Sequence, residues 1–332
     1  MHLFSDAGRA RLRIVLPGGS GQVGQVLARY FQERGHHVTV LTRSPFAAPW
    51  QTVHWDGEQA GDWTEHLDGA DVCINLAGRS VNCRYTEKNR KAIYDSRIRS
   101  TRLLGRVIAG LEHPPKVWLN ASTATIYRHA TDRPMDEYTG EIGGNELISR
   151  RRRAPDTWNF SIRVAMDWEA AFFAAFTPHT RKVALRSAVV MSPSPGGAFA
   201  LLLRLVRMSL GGAQGSGRQY VSWIHELDFA RAVEFLIERE DVDGTVNLAA
   251  PNPLPNREFM EALREAYGMP NGIPAPRPLL EVAAFFLRTE SELVLKSRRV
   301  VPARLMDAGF EFEFPEWGAA AEDLAAQWKR RE

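Results

Sequence analysis

The 332-residue chain predicts an α/β fold in which a doubly wound parallel sheet is followed by a smaller C-terminal substrate lobe. Three observations carry that expectation. The chain opens on a strand, a glycine-spaced turn, a helix and a second strand. Short apolar runs then alternate with helical stretches to about residue 190, as in a parallel sheet covered on both faces. Beyond Met191 the texture changes to Pro and Gly breaks and short helices. Together these describe a Rossmann-type arrangement, with residues 1–11 as an N-terminal extension, 12–190 as the nucleotide-binding domain and 191–332 as the lobe.

The first unit is the most informative. Ile14-Val15-Leu16 reads as a strand. Gly18, Gly21 and Gly24 follow in a GxxGxxG spacing. Val23, Leu27, Tyr30 and Phe31 recur at helical intervals, Gly35 ends the helix, and Val38-Thr39-Val40-Leu41 is the second strand. A side chain at Gly18 or Gly21 would hold the backbone away from a pyrophosphate, and one at Gly24 would push the helix off the strand. The free N–H groups at the helix start then face the phosphates. The second strand ends in Thr42-Arg43-Ser44, and no carboxylate occurs between Glu33 and Asp56. A carboxylate there would bind a ribose 2′-hydroxyl and repel a 2′-phosphate. Arg43 offers a charge-assisted fork instead, so the unit points to NADP(H) rather than NAD(H).

The alternation continues in order. Thr52 to Trp55 is a third strand and Val72 to Leu76 a fourth, reached through a helical stretch near Trp63–Leu67. Arg84 to Leu111 is a long helix with Ile93, Ile98, Leu104 and Ile108 at helical spacing, stopped by Pro114-Pro115. Val117 to Asn120 is a fifth strand, Ile162 to Phe176 a second long helix, and Val183 to Val190 a sixth strand. In the lobe, Leu227 to Glu238 reads as a helix and Val246 to Leu248 as a strand.

Composition excludes several classes. With 42 Lys and Arg against 39 Asp and Glu, no strong field argues for nucleic acid. The run Arg150–Arg153 is the exception, either a solvated loop or a nucleic-acid contact. Two cysteines, Cys73 and Cys83, give no disulfide framework and fit a reducing compartment. The longest apolar segment, Phe199 to Val206, is too short for a membrane span. Residues 1–11 lack the apolar core of a signal peptide, so a cytoplasmic location is the default expectation, and a monomer or homodimer is expected. No metal-ligand spacing is present.

The turn GGSGQVG, the run Asn75-Leu76-Ala77-Gly78 and the segment Ser122-Thr123-Ala124-Thr125-Ile126-Tyr127 resemble an extended short-chain dehydrogenase/reductase. The stretch from Arg84-Tyr85-Thr86-Glu87 to Asp95-Ser96-Arg97, the segments Asp167-Trp168-Glu169-Ala170-Ala171 and Ser222-Trp223-Ile224-His225, and the tail Ser297-Arg298-Arg299-Val300-Val301-Pro302 with Gly309-Phe310 and Phe314-Pro315 narrow the likeness. They resemble the atypical NAD-dependent epimerase/dehydratase-like epimerases with a small C-terminal domain of unknown function, over residues 12–328. The resemblance implies NADP as cofactor and an unassigned small-molecule substrate. It implies that Gly18, Gly21, Gln22, Val23 and Gly24 form the pyrophosphate turn and that Thr42 and Arg43 hold the 2′-phosphate. Leu76, Ala77 and Gly78 would line the adenosine side, Arg97 would reach the cofactor, and Val190 would border the nicotinamide. Thr123 falls where the superfamily has its active-site Ser or Thr.

One part of the pattern is missing. The superfamily's base is a Tyr with a Lys four residues later, which lowers the phenol pKa. None of the six lysines, Lys88, Lys91, Lys116, Lys182, Lys296 and Lys329, has Tyr four residues before it. Family spacing puts Ser161 and Ala165 at those places. Thr123 remains to bind a substrate oxygen. Tyr127 is the nearby phenol, either an acid/base or a packing residue. Arg84 either binds an anionic group or pairs with Glu87, and His225 reads as a core or turn histidine. The expected function is an NADP-dependent oxidoreductase or epimerase with another proton donor. The alternatives are a non-catalytic NADP(H) sensor and, least supported, a nucleic-acid binder.

Overall fold

The computed structural model describes residues 11–144, 147–149, 152–286 and 290–331. Residues 1–10 of the expected extension, and Arg150 and Arg151 of the arginine run, lie outside the described residues. The first half runs β1 (Arg13–Pro17), α1 (Gln22–Glu33), β2 (His37–Thr42), β3 (Gln51–His54), β4 (Val72–Asn75), α2 (Glu87–Gly110) and β5 (Val117–Thr123). A short antiparallel pair follows, β6 (Leu147–Ser149) and β7 (Arg152–Arg153), then α3 (Asp156–Phe173), β8 (Arg181–Ser187) and β9 (Val189–Met191). The second half runs α4 (Ala198–Arg207), β10 (Tyr220–Val221), β11 (Trp223–His225), α5 (Glu226–Glu238), β12 (Gly244–Leu248) and β13 (Leu254–Pro255). It ends with α6 (Asn256–Tyr267), α7 (Arg277–Phe286), α8 (Glu292–Leu295), α9 (Ala303–Asp307) and α10 (Trp317–Lys329).

Seven of these strands form one parallel sheet in the order β12-β8-β5-β4-β1-β2-β3. The winding reverses between β1 and β4. Doubly wound sheets bind ligands in the crevice at the carboxyl ends of the strands on either side of such a reversal. Here those ends carry the glycine turn and Leu76-Ala77-Gly78.

Both faces of the sheet are covered. On one, Leu27 and Phe31 of α1 pack with Phe229 and Val233 of α5 over Leu16, Val40 and Leu119. On the other, Leu104 and Ile108 of α2 and Phe172 of α3 pack over Cys73 and Trp118. The Trp118 and Phe172 rings meet edge to face at 4.7 Å. Fully burying an apolar side chain of this size stabilises by about 1.5–3 kcal/mol. The C-terminal lobe has its own core, where Phe259 of α6 stacks on Trp317 of α10 at 4.0 Å.

Four expectations need correction. The sixth strand does not run unbroken to Val190. It ends at Ser187, and β9 turns off the sheet to pair in parallel with β11, Val190 opposite Ile224. Nor does the chain leave the sheet at residue 190. β12 returns as its seventh strand beside β8, so residues 191–332 supply both an edge of the large sheet and the lobe. The long helix begins at Glu87 rather than Arg84, because Thr86 caps it by accepting from Asn89 N. The second long helix begins at Asp156, six residues before the first apolar residue of the expected stretch.

Candidate functional site

The turn after β1 is built for close backbone approach. Gly18 has φ +75°, and a Cβ there would lie 2.6 Å from Ala77 Cα. A Cβ on Gly24 would meet Gly19 Cα and O at 2.4 Å, so α1 starts against the turn only because both residues are glycine. Gly21 differs. Its Cβ would meet nothing nearer than Gly18 O at 3.9 Å, so it faces open space. Gly21 is the N-cap of α1 and offers no side chain to satisfy the first amides. Beside it the Gln22 Nε2 is buried and lacks an acceptor among the described residues. An open glycine, uncapped amides and an orphaned amide nitrogen suit a pyrophosphate.

At the end of β2, Thr42 is buried and its Oγ1 accepts from Ser44 N at 3.4 Å, which fixes the corner. Arg43 is exposed just past β2 and has no acidic partner among the described residues. Leu76 N donates to Pro17 O at 2.8 Å, and Ala77 N to Asn75 Oδ1 at 3.1 Å, so this run is tied to β1 and β4. Gly78 lies under the Arg97 guanidinium, which a Cβ there would meet at 3.1 Å. Arg97 donates to the Arg79 and Ile93 carbonyls at 3.0 Å and lies over the Trp168 ring, with no carboxylate partner among the described residues. Burial pulls its guanidinium down to about 10.

From the turn a cavity of about 410 Å³ runs inward past Val23 and Leu76 to Thr123, Ser161, Ala165 and Val190. Thr123 accepts from Thr125 N at 3.1 Å, which leaves its own O–H to donate into the cavity. The inner end is polar. Ser161 Oγ lies 2.7 Å from Glu292 Oε2 and 3.4 Å from Tyr85 OH. Arg298 lines the same wall, donates to Thr125 Oγ1 at 3.1 Å and pairs with Glu292 at 3.7 Å.

Tyr127 is not part of this wall. It is fully buried, donates to Asn247 Oδ1 and accepts from Arg186 Nη1, each at 3.0 Å, and so spends its phenol on joining the turn after β5 to β8 and β12. Of the two roles expected for Tyr127, this geometry favours packing over acid/base work. Tyr127→Phe is expected to cost about 1–3 kcal/mol, the range for a buried bond to neutral and charged partners, and to leave cofactor affinity unchanged. Urea unfolding and a nucleotide titration check both halves. Arg84 pairs with Glu290 at 3.6 Å rather than with Glu87. His225 caps α5 by accepting from Leu227 N and stacks on Phe314 at 4.0 Å, a structural role. Among the described residues no cluster could hold a metal ion, and no helix is long and apolar enough to cross a membrane.

Tyr85, Glu292 and Arg298 were not singled out for the site by sequence reasoning. Arg298 lay in a tail motif, but nothing in its neighbours says that it reaches Thr125, 173 residues away along the chain.

Residues 14–249 match the NAD dependent epimerase/dehydratase family, and residues 275–324 match a domain of unknown function, DUF1731. The human epimerase family protein SDR39U1 is 32% identical over 320 residues, 95% of this chain and 100% of that protein. The Bacillus subtilis epimerase family protein YfhF is 30% identical over 321 residues, 96% of this chain and 99% of that one. A crystal structure of human SDR39U1 (isoform 2) with NADPH superposes with a TM-score of 0.79 at 30% identity, covering 94% of this chain and 99% of that one. With the reversed sheet, the open glycine turn and a match that spans most of its length, the chain belongs to the NAD dependent epimerase/dehydratase family.

Proposed function

We propose that this protein binds NADP(H) and carries out hydride chemistry, reduction or epimerisation, on a small carbonyl or hydroxyl compound. The carrying observation is the continuous cavity from Gln22 and Val23, at the start of α1 beside the glycine turn, to the polar wall at Thr123 and Ser161. The NADPH in the human SDR39U1 structure supports the cofactor. The bound dinucleotide would supply the hydride. Gly21, Gln22 and the first amides of α1 hold its pyrophosphate, Arg43 its 2′-phosphate, and Arg97 adds positive charge beside Gly78. Val190 shapes the apolar wall, and Thr123 donates to the substrate oxygen. A sensor without turnover is the second reading, favoured by Ser161 and Ala165 standing where a Tyr and a Lys would be. Fluorescence titration with NADPH, followed by NADPH oxidation across a panel of aldehydes and ketones, separates the two. Binding without oxidation by any of them selects the sensor.

Arg43→Asp is expected to reverse the cofactor preference. The loss of one charged hydrogen bond, worth about 1.5–3 kcal/mol, weakens NADPH about ten- to a hundredfold, and the new carboxylate repels the phosphate while suiting a ribose hydroxyl. Paired titrations with NADPH and NADH read this directly. Equal affinities in the native protein would remove the assigned role of Arg43.

A further inference from the structure

The segment from Glu290 to Arg298 lies across the cavity and is stitched to three separate parts of the chain. Glu290 Oε1 accepts from Tyr85 N at 2.7 Å. Glu292 Oε2 meets Ser161 Oγ at 2.7 Å. Lys296 Nζ donates to Thr125 O at 2.8 Å, and Arg298 Nε to Thr125 Oγ1 at 3.1 Å. This segment thus brings one carboxyl group to the place in α3 where the superfamily's phenol would stand. Glu292 is 1% exposed, and its Oε1 has no hydrogen-bond donor among the described residues, the Arg298 Nη2 standing 3.7 Å away, beyond hydrogen-bond reach. A buried carboxylate oxygen left in that state costs free energy, and protonation relieves the cost.

We propose that Glu292 stores the proton for the reaction and passes it to substrate through Ser161, so that the C-terminal domain supplies what the missing Tyr–Lys pair would. The proposal rests on the NADP(H)-dependent reading above. With Glu292 protonated, its O–H donates to Ser161 Oγ, and the serine O–H turns into the cavity. In reduction, a C–H bond forms between the carbonyl carbon and the hydride from NADPH while the carbonyl π pair moves to oxygen. That oxygen takes the Ser161 proton, Ser161 takes the Glu292 proton, and the carboxylate is reprotonated from water after product leaves. Ser161 is then the catalytic residue and Glu292 acts through it. Arg298, Lys296, Tyr85 and Glu290 face the carboxyl, and Arg97 acts on Tyr85. Burial outweighs the two cations and holds the Glu292 carboxyl above the ordinary range. It raises the Tyr85 phenol to about 12, which leaves Tyr85 neutral in the chain of hydroxyls.

The test uses the full-length protein with NADPH and two probes, phenanthrenequinone and nitrobenzaldehyde. Glu292→Gln keeps the shape and the contact with Ser161 but has no proton to give. It is expected to lower kcat/KM by about a hundred- to ten-thousandfold, the range for general acid help, with NADPH affinity and Tm unchanged. The native rate should fall as pH rises through the elevated Glu292 pKa, and that limb should vanish in the variant. Infrared titration gives a readout free of turnover. A carboxylic acid C=O stretch should persist above the ordinary carboxylate range in the native protein and be lost in Glu292→Gln. A variant that keeps the native rate, or a Glu292 that titrates in the ordinary range, overturns the proposal. Failure of both probes with the native protein counts against the reductase reading alone. The infrared titration then decides the proton store by itself, an elevated carboxyl supporting it and an ordinary one overturning it.

Discussion

Gly21→Val is expected to abolish NADP(H) binding while the protein stays folded. Gly21 and Gly24 separate ligand approach from packing. At Gly21 the added side chain enters open space, since Gly18 O at 3.9 Å is the nearest atom. That space is where a pyrophosphate held by the uncapped amides of α1 would come. A branched side chain fills it, and affinity should fall by more than about a hundredfold, equivalent to about 3 kcal/mol. At Gly24 the added Cβ would lie 2.4 Å from the Gly19 backbone, which cannot yield without moving the turn or the helix. Gly24→Val should therefore lose binding and stability together. Nucleotide titration and urea unfolding on the two variants give a two-by-two result. If Gly21→Val binds NADPH with native affinity, the cofactor does not use this turn.

Glu169→Ala should destabilise the fold by about 3–5 kcal/mol, the cost of leaving a buried partner charge unpaired. Arg186 of β8 grips Glu169 of α3 with two bonds, Nε to Oε1 at 2.8 Å and Nη2 to Oε2 at 2.7 Å. Ser122 Oγ donates to the same carboxylate at 2.6 Å. The side chains are only 11% and 10% exposed, so water cannot take over when one is removed. Arg186 also donates to Tyr127, which in turn donates to Asn247. The network thus fastens α3 and three sheet strands beneath the Ser122-Thr123 corner of the cavity. Replacing both charges, Glu169→Leu with Arg186→Met, should recover most of the loss, because apolar packing substitutes for a buried pair at little cost. Midpoints in urea for the single and double variants decide it. A single variant within about 1 kcal/mol of native, the worth of an exposed pair, would mean that the pair is solvated.

The sequence alone determined what depends on neighbours along the chain. The spacing of Gly18, Gly21 and Gly24 is a local requirement of one turn, and the absence of a carboxylate near Arg43 is a local absence. The periodic apolar positions of α1, α2 and the first five strands placed the sheet because burial selects them one face at a time. What only the tertiary structure decided involves residues far apart in the chain. β12 joins the large sheet although Pro and Gly breaks precede it, because its apolar Val246 and Leu248 find the edge of β8. Tyr127 looked available in a loop, yet Arg186 and Asn247 reach it from two other strands. Nothing local marks Glu292 for a site, and Arg298 stands out only as part of a tail motif. Folding desolvates them against Ser161 and Thr125, and a charged side chain taken out of water beside a cavity acquires chemistry that its place in the sequence does not record.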